Sequence, residues 1–183
     1  PDLDWREAPR ASRGQLLRVH AESLLHAVLE TRPSERIWLD PDTVLSPASA
    51  EAGLRAAGAV VAAVELVLHG ESKRAFCAVR PPGHHATATA AMGFCLFNSI
   101  AVGAAHALDK FGLSRIAIAD FDVHHGNGTQ AIFDLEPRVV FASSHQMPLY
   151  PDSGHVTERG VSNIFNAPLQ PGATSAQFRE AWR

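Results

Sequence analysis

Apolar and polar positions along the chain follow two alternating periods, and the alternation predicts the elements. From Gln15 to Leu29, apolar residues at Leu16, Val19, Leu24, Leu25, Val28 and Leu29 lie close to helical spacing, which predicts a helix. Pro47 to Leu68 is alanine-rich and apolar around most of its circumference, the pattern of a well-buried helix. Ser46-Pro47 serves as its cap and first-turn pair, and Gly70 ends it. Ala75 to Val79 is a short continuous apolar run, as in a strand buried on both faces. Phe97 to Phe111 reads as a helix stopped by Gly112, Arg115 to Phe121 as a second buried strand, and Gly126 to Phe133 as a short helix. Val139 to Ala142 is a third strand, Ser143 to Gly160 a long polar loop, and Asn163 to Leu169 a fourth strand. Thr174 to Gln177 fits a T-x-x-Q capping box that opens a last helix just before Arg183. The polar stretch Pro1 to Arg10 and the connector Thr31 to Pro47 are expected to be loops.

Helices that alternate with short apolar strands predict an α/β fold built on a mainly parallel sheet. Sites in such sheets lie outside the carboxyl ends of the strands. Three polar runs fall there: His84-His85 after the first strand, Asp120 to Asn127 after the second, and Ser143 to His145 after the third.

Composition narrows the function classes. The chain has 183 residues, 46% hydrophobic and 19% charged, which suits a single soluble domain and excludes a disordered, collagenous or coiled-coil chain. Lys+Arg (16) nearly balances Asp+Glu (19) for a net charge of -3, so no basic surface points to nucleic acid. The longest apolar run, Ala56 to Val64, is too short to span a bilayer, and no signal-peptide pattern opens the chain. Two cysteines, Cys77 and Cys95, make no disulfide framework, which points to a reducing, cytoplasmic compartment. Histidine is the unusual residue: seven of the 10 lie between positions 84 and 155.

The run Asp120-Phe121-Asp122-Val123-His124 carries the sharpest chemistry. Residues two apart at an extended strand end point the same way, so two carboxylates and an imidazole share a side. Such donors suit zinc or another divalent transition metal; the plainer reading is a helix-capping Asp followed by loop histidines. Adjacent histidines in Pro81-Pro82-Gly83-His84-His85 read either as a surface loop or, beside the acidic run, as a base near a metal-bound water. Gly126-Asn127-Gly128-Thr129 lacks the lysine of a phosphate loop and reads better as a turn that aims Asn127 at a histidine. Phe94, after Gly93, is either a core residue or an apolar wall for a ligand.

The segments R-P-P-G-H-H-A (80–86), G-F-C-L-F-N (93–98), D-F-D-V-H-H-G-N-G-T (120–129) and S-S-H-Q-M-P-L-Y-P (143–151) resemble the zinc-dependent histone deacetylase family. That family includes bacterial deacetylase-like amidohydrolases, acetylpolyamine amidohydrolases and acetoin-utilisation proteins. The resemblance extends over about residues 10–183, and Asn127 resembles the class II and bacterial branches. It implies a three-layer αβα fold of the arginase/deacetylase kind, present here as a single partial catalytic domain over residues 1–183. It implies zinc held by Asp122 and His124 and a tandem histidine pair beside the zinc-bound water. In that pair His85 would be the general base and acid, oriented by Asn127, and His84 would be held by Asp120. It further implies an acyl-lysine channel lined by Phe94, the Gly93 backbone on the substrate amide, and Tyr150 in a rim loop. Asp120, Asp122, His124 and Ser143 would surround a potassium ion. The implied substrate is an acetylated lysine peptide or an acetylated small amine.

Two parts of the family pattern are missing from the sequence: a third ligand Asp from a later strand, and a Tyr after a Gly-Gly pair. The first strand of the family's domain is also absent upstream of Pro1. The chain is therefore expected to be an internal piece of a longer domain, to bind zinc poorly alone, and to associate as a homo-oligomer through an uncovered sheet edge. Asp152 is the least implausible substitute ligand. The alternatives are a dimanganese ureohydrolase, for which the segment has too few carboxylates, and a non-catalytic module that binds acyl ligands or a partner.

Overall fold

The computed structural model describes residues 3–183. Its centre is a parallel three-stranded sheet in the order β3–β4–β5, where β3 is Ile116–Asp120, β4 Val139–Gln146 and β5 Ile164–Leu169. Register matters for the site: Asp120 pairs with Ser143, and Ser143 with Asn166, so one row crosses the carboxyl end of the sheet. Side chains alternate along β4. Val139, Phe141, Ser143 and His145 are buried on one face, towards α5 (Asn127–Phe133). On the other face Ser144 accepts a hydrogen bond from Trp182 Nε1 at 2.9 Å, just beyond α6 (Ser175–Ala181). Helices on both faces of a parallel sheet make this an αβα arrangement.

Two long helices complete the core. α3 (Ser49–Leu68) and α4 (Ser99–Lys110) pack side by side and bury Ala57, Val61, Ala101 and Val102. Phe97, Phe141, Leu16 and Leu25 fill the space between these helices, the sheet and the N-terminal turns. α3 begins at Ser49 after Ala48 rather than on a Ser46-Pro47 cap; Ser46 instead bonds the Ser49 hydroxyl. The two predicted helices thus form within two residues of their expected limits. The T-x-x-Q box forms at α6, where the Thr174 hydroxyl accepts from Gln177 N–H.

Five expectations are corrected. The helix expected over Gln15–Leu29 is broken into α1 (Arg13–Leu16), α2 (Glu22–Leu25) and a wider turn over His26–Glu30. The break has a cause: the Ala21 N–H donates to Ala88 O at 2.8 Å, outside any helix, and His20 turns inward. The connector Thr31–Pro47 contains a small antiparallel pair, β1 (Ile37–Trp38) with β2 (Val44–Leu45). Its turn forms because Asp40 Oδ1 accepts from both Asp42 N–H and Thr43 N–H, an Asx turn that competes with open loop. Ala75–Val79 is extended but unpaired, with Phe76 92% exposed, because no strand among the described residues lies beside it. For the same reason β3 is buried on one face only: Ala117 and Ala119 are exposed. Finally, β4 extends to Gln146, so Ser143 to His145 belong to a strand and not to the following loop. The expected loop over Pro1–Arg10 is irregular from Leu3 on; Pro1 and Asp2 lie outside the described residues.

His20 locks the N-terminal turns onto the core. Its Nε2 accepts from Asn98 N–H at 2.9 Å, so its Nδ1 carries the proton donated to Thr87 O at 2.9 Å. Only the neutral ring satisfies both partners, and burial lowers the His20 pKa to about 4. The unfolded ring binds its proton more readily than the folded one, so this contribution is intact above about pH 6.5 and is lost as the pH falls towards about 4. We expect unfolding free energy to fall by up to roughly 3 kcal/mol across that window from this residue. Urea titrations at pH 7 and pH 4.5 check this; His20→Gln should flatten the dependence, and an unchanged slope would contradict the assignment.

Candidate active site

Three segments meet at the carboxyl end of β3 and β4. The first, Pro81–Ala86, is fixed from two helices. The buried Asn98 amide donates to Ala86 O (3.2 Å) and to Thr129 Oγ1 (3.0 Å), while the Thr129 N–H donates to His84 O (3.1 Å). Gly128 lets α5 come this close: a Cβ there would overlap the Ala86 carbonyl. The second segment leaves β3 at Asp120 and folds back on itself. Asp120 Oδ1 accepts from Asp122 N–H (3.2 Å), and Asp122 Oδ1 accepts from His124 N–H (2.8 Å). The third is the rim loop that carries Tyr150.

These segments bring the tandem histidines to different partners. His84 Nδ1 lies 2.9 Å from Asp120 Oδ2, and His85 Nδ1 lies 2.8 Å from Asn127 Oδ1. The Asn127 oxygen is an acceptor, so His85 donates from Nδ1 and its Nε2 keeps a lone pair. The two rings are 4.0 Å apart, and the His124 ring lies 5.9 Å from that of His85. Burial lowers the His85 pKa, the neighbouring His84 lowers it further, and the Asn127 hydrogen bond opposes the shift.

Asp122 and His124 face one another, with His124 Nδ1 3.1 Å from Asp122 Oδ1, and both are partly open to solvent. Burial pushes the Asp122 carboxyl up, but the His124 backbone N–H and the His84 and His124 imidazoles more than offset it, and its pKa is lowered. A carboxylate beside an imidazole is a donor pair that zinc accepts. Among the described residues, no group of three or more His, Cys, Asp or Glu side chains is placed to hold a metal ion. Asp152, with a left-handed backbone (φ 62°), does not complete such a group.

The wall residues fall where the rings are. Gly93 has φ 57°, and a Cβ there would overlap the His85 ring. Phe94 also has positive φ (66°) and is 65% exposed, so it is not a core residue. The Tyr150 ring stands edge-on to His85 at 5.2 Å and to His124 at 6.3 Å. Burial, then the Asp42 and Asp40 carboxylates, pushes the Tyr150 hydroxyl up to about 12, so it is protonated at neutral pH. Ser143 pairs with Asp120 across the sheet, but its hydroxyl bonds His145 Nδ1 at 2.9 Å.

A second polar layer lies beneath and was not identified from the sequence. His125 and His145 are fully buried with rings 4.7 Å apart. His125 bonds Ser153 and Gln130, Gln130 donates to Glu158, and His145 bonds Gly154 O. His124 and His125 both lie in the bent segment after β3, where His124 stays partly exposed and His125 is buried.

The histone deacetylase domain family matches residues 1–183, and the chain belongs to that family. It is 39% identical to the histone deacetylase-like amidohydrolase of Pseudomonas aeruginosa, covering 98% of this chain and 48% of that protein. It is 41% identical to a probable deacetylase of Archaeoglobus fulgidus, covering 89% and 46%. The crystal structure of the HDA15 HD domain superimposes with a TM-score of 0.85 at 36% identity, covering 88% of this chain and 48% of that one. The chain thus spans about half the length of the relatives it matches.

The close approach at Gly128 is testable against a neutral control. Gly128→Ala should destabilise by about 1–3 kcal/mol, because the added methyl would run into the His85–Ala86 backbone. Gly14→Ala, on the open side of α1, should be neutral or stabilising by up to about 1 kcal/mol. Thermal unfolding of the two variants checks the contrast; equal shifts would contradict it.

Proposed function

We propose that this chain forms one partial catalytic domain of a zinc-dependent amidohydrolase that removes an acetyl or other acyl group from a lysine side chain or a small amine. The observation that carries the reading is the unequal tethering of two adjacent imidazoles, His84 to a carboxylate and His85 to a neutral amide. A hydrolase of amides needs a base to activate water and an acid to protonate the leaving amine. His85 has its free Nε2 lone pair and a lowered pKa, so it accepts the water proton and returns it to the leaving nitrogen. The Asp120 carboxylate on His84 stabilises positive charge beside the reaction centre. Phe94 and the Gly93 backbone form one wall of the acyl channel, and Tyr150 closes the rim above His85.

Asp122 and His124 would hold zinc, as two of the three protein ligands a catalytic site normally uses. Bound zinc supplies polarisation of the acyl oxygen and a more acidic water. The oxygen-rich turn of Asp120, Asp122 and His124 beside Ser143 suits potassium. Free Cys77 and Cys95 fit a reducing cytoplasm. No helix among the described residues is long and apolar enough to cross a membrane. The free outer edge of β3 and the exposed Phe121 suit association of copies. The lack of a third metal donor among the described residues favours one alternative, a non-catalytic acyl-ligand or partner-binding module.

His85→Ala and Asp122→Ala in the full-length protein separate these roles. We expect His85→Ala to slow hydrolysis of an acetyl-lysine peptide by about 10²–10⁴-fold with bound zinc retained. Asp122→Ala should lose zinc first. Turnover and zinc per chain measured on both variants test the reading: zinc loss in His85→Ala with retention in Asp122→Ala overturns it, and a wild type that binds acyl peptide without hydrolysing it favours the binding module.

A further inference from the structure

The β1–β2 turn reaches across 51 residues of sequence to the aromatic wall, and nothing in the catalytic assignment uses it. Gly93 N–H donates to Asp42 Oδ1 at 3.0 Å. Phe94 N–H donates to the Thr43 hydroxyl oxygen at 3.0 Å, and that hydroxyl donates in turn to Asp42 Oδ1 at 2.9 Å. Thr43 is fully buried, and its own N–H is bound by Asp40. Opposite, Met92 and Cys95 exchange backbone hydrogen bonds, so Gly93 and Phe94 are the two central residues of a tight turn, both at positive φ. Turns of that kind favour Gly or Asn at both positions, and a phenylalanine there is strained. Such strain persists only where surrounding structure over-determines it. Here the two N–H groups of the strained pair are the two groups the hairpin grips.

We propose that Thr43 and Asp42 are positioning residues that hold Gly93 and Phe94 in place as the wall of the acyl channel. The assignment of Phe94 as a channel wall rests on the amidohydrolase reading; the clamp itself rests on the hydrogen bonds. The Thr43 hydroxyl is the central element, because it is at once the acceptor for Phe94 and a donor to the carboxylate that holds Gly93. Valine has the same shape without the hydroxyl, so Thr43→Val removes the clamp while keeping the buried volume. Serine keeps the hydroxyl, so Thr43→Ser preserves it. None of the clamp's hydrogen bonds involves His84, His85 or Asp120, so its loss acts on substrate binding more than on the chemical step.

The test uses the full-length protein with para-fluorophenylalanine at position 94. Thr43→Val should broaden and shift the fluorine resonance and raise KM for an acetyl-lysine peptide about tenfold, with kcat within about twofold. Thr43→Ser should restore both the resonance and KM. If Thr43→Val does not fold, Asp42→Ala, at a partly exposed position, decides by the same resonance. An unchanged resonance in a folded Thr43→Val or Asp42→Ala protein overturns the clamp, as does a fall in kcat at constant KM. A wild type with no hydrolysis, together with a resonance that responds to Thr43→Val, overturns the amidohydrolase reading and leaves the clamp standing.

Discussion

The side chain of Asn98 is the constraint on which the rest of the structure depends. Its Oδ1 caps α4 by accepting from Ala101 N–H, its amide donates to Ala86 O and Thr129 Oγ1, and its backbone N–H donates to His20 Nε2. Four segments distant in sequence are joined there, in a position with no solvent exposure. A buried amide with unmet donors costs about 1–3 kcal/mol, so each of these segments is held to one arrangement. The histidine loop owes its place to this junction: Ala86 is tied to α4, and Thr129 ties α5 to the same loop.

Function follows from what α5 brings along. Its first residue is Asn127, and fixing α5 against the loop sets the Asn127 oxygen on His85 Nδ1. The carboxylate on the neighbouring ring comes from a different element, the end of β3. Two chemically identical side chains one residue apart are therefore made unequal by partners from separate parts of the fold. The buried rings of His125 and His145, with the half-buried Glu158, support the same arrangement from below by fixing the loop after β4 to α5.

The legible parts of the sequence were those where chemistry and periodicity coincide. His84, His85, Asp120, Asp122 and His124 follow apolar runs directly, and the sheet rule placed them together. Asn127 and the two long helices were legible for the same local reason. What was not legible depended on distant partners. The helix at Gln15 looked continuous because nothing local shows that Ala21 N–H is taken by Ala88 O. Ala75–Val79 reads as a buried strand, but pairing needs a neighbour, and none lies beside it among the described residues. Thr43 and Asp42 gave no signal, since their importance lies in a contact 51 residues away. His125 sits beside a conspicuous histidine in a bent segment, and its inward ring depends on Ser153 and Gln130, which lie elsewhere in the sequence.

The central claim is that Asn127 and Asp120 make the tandem imidazoles unequal, with His85 neutral and protonated on Nδ1. Nitrogen-15 NMR of the histidine side chains at neutral pH measures this directly, since the two ring nitrogens of each tautomer have distinct shifts. The account predicts that His85 is the Nδ1–H tautomer with an unprotonated Nε2, and that Asn127→Ala abolishes that preference while the His84 signals stay in place. A His85 ring that carries its proton on Nε2, or one doubly protonated at pH 7, would contradict it.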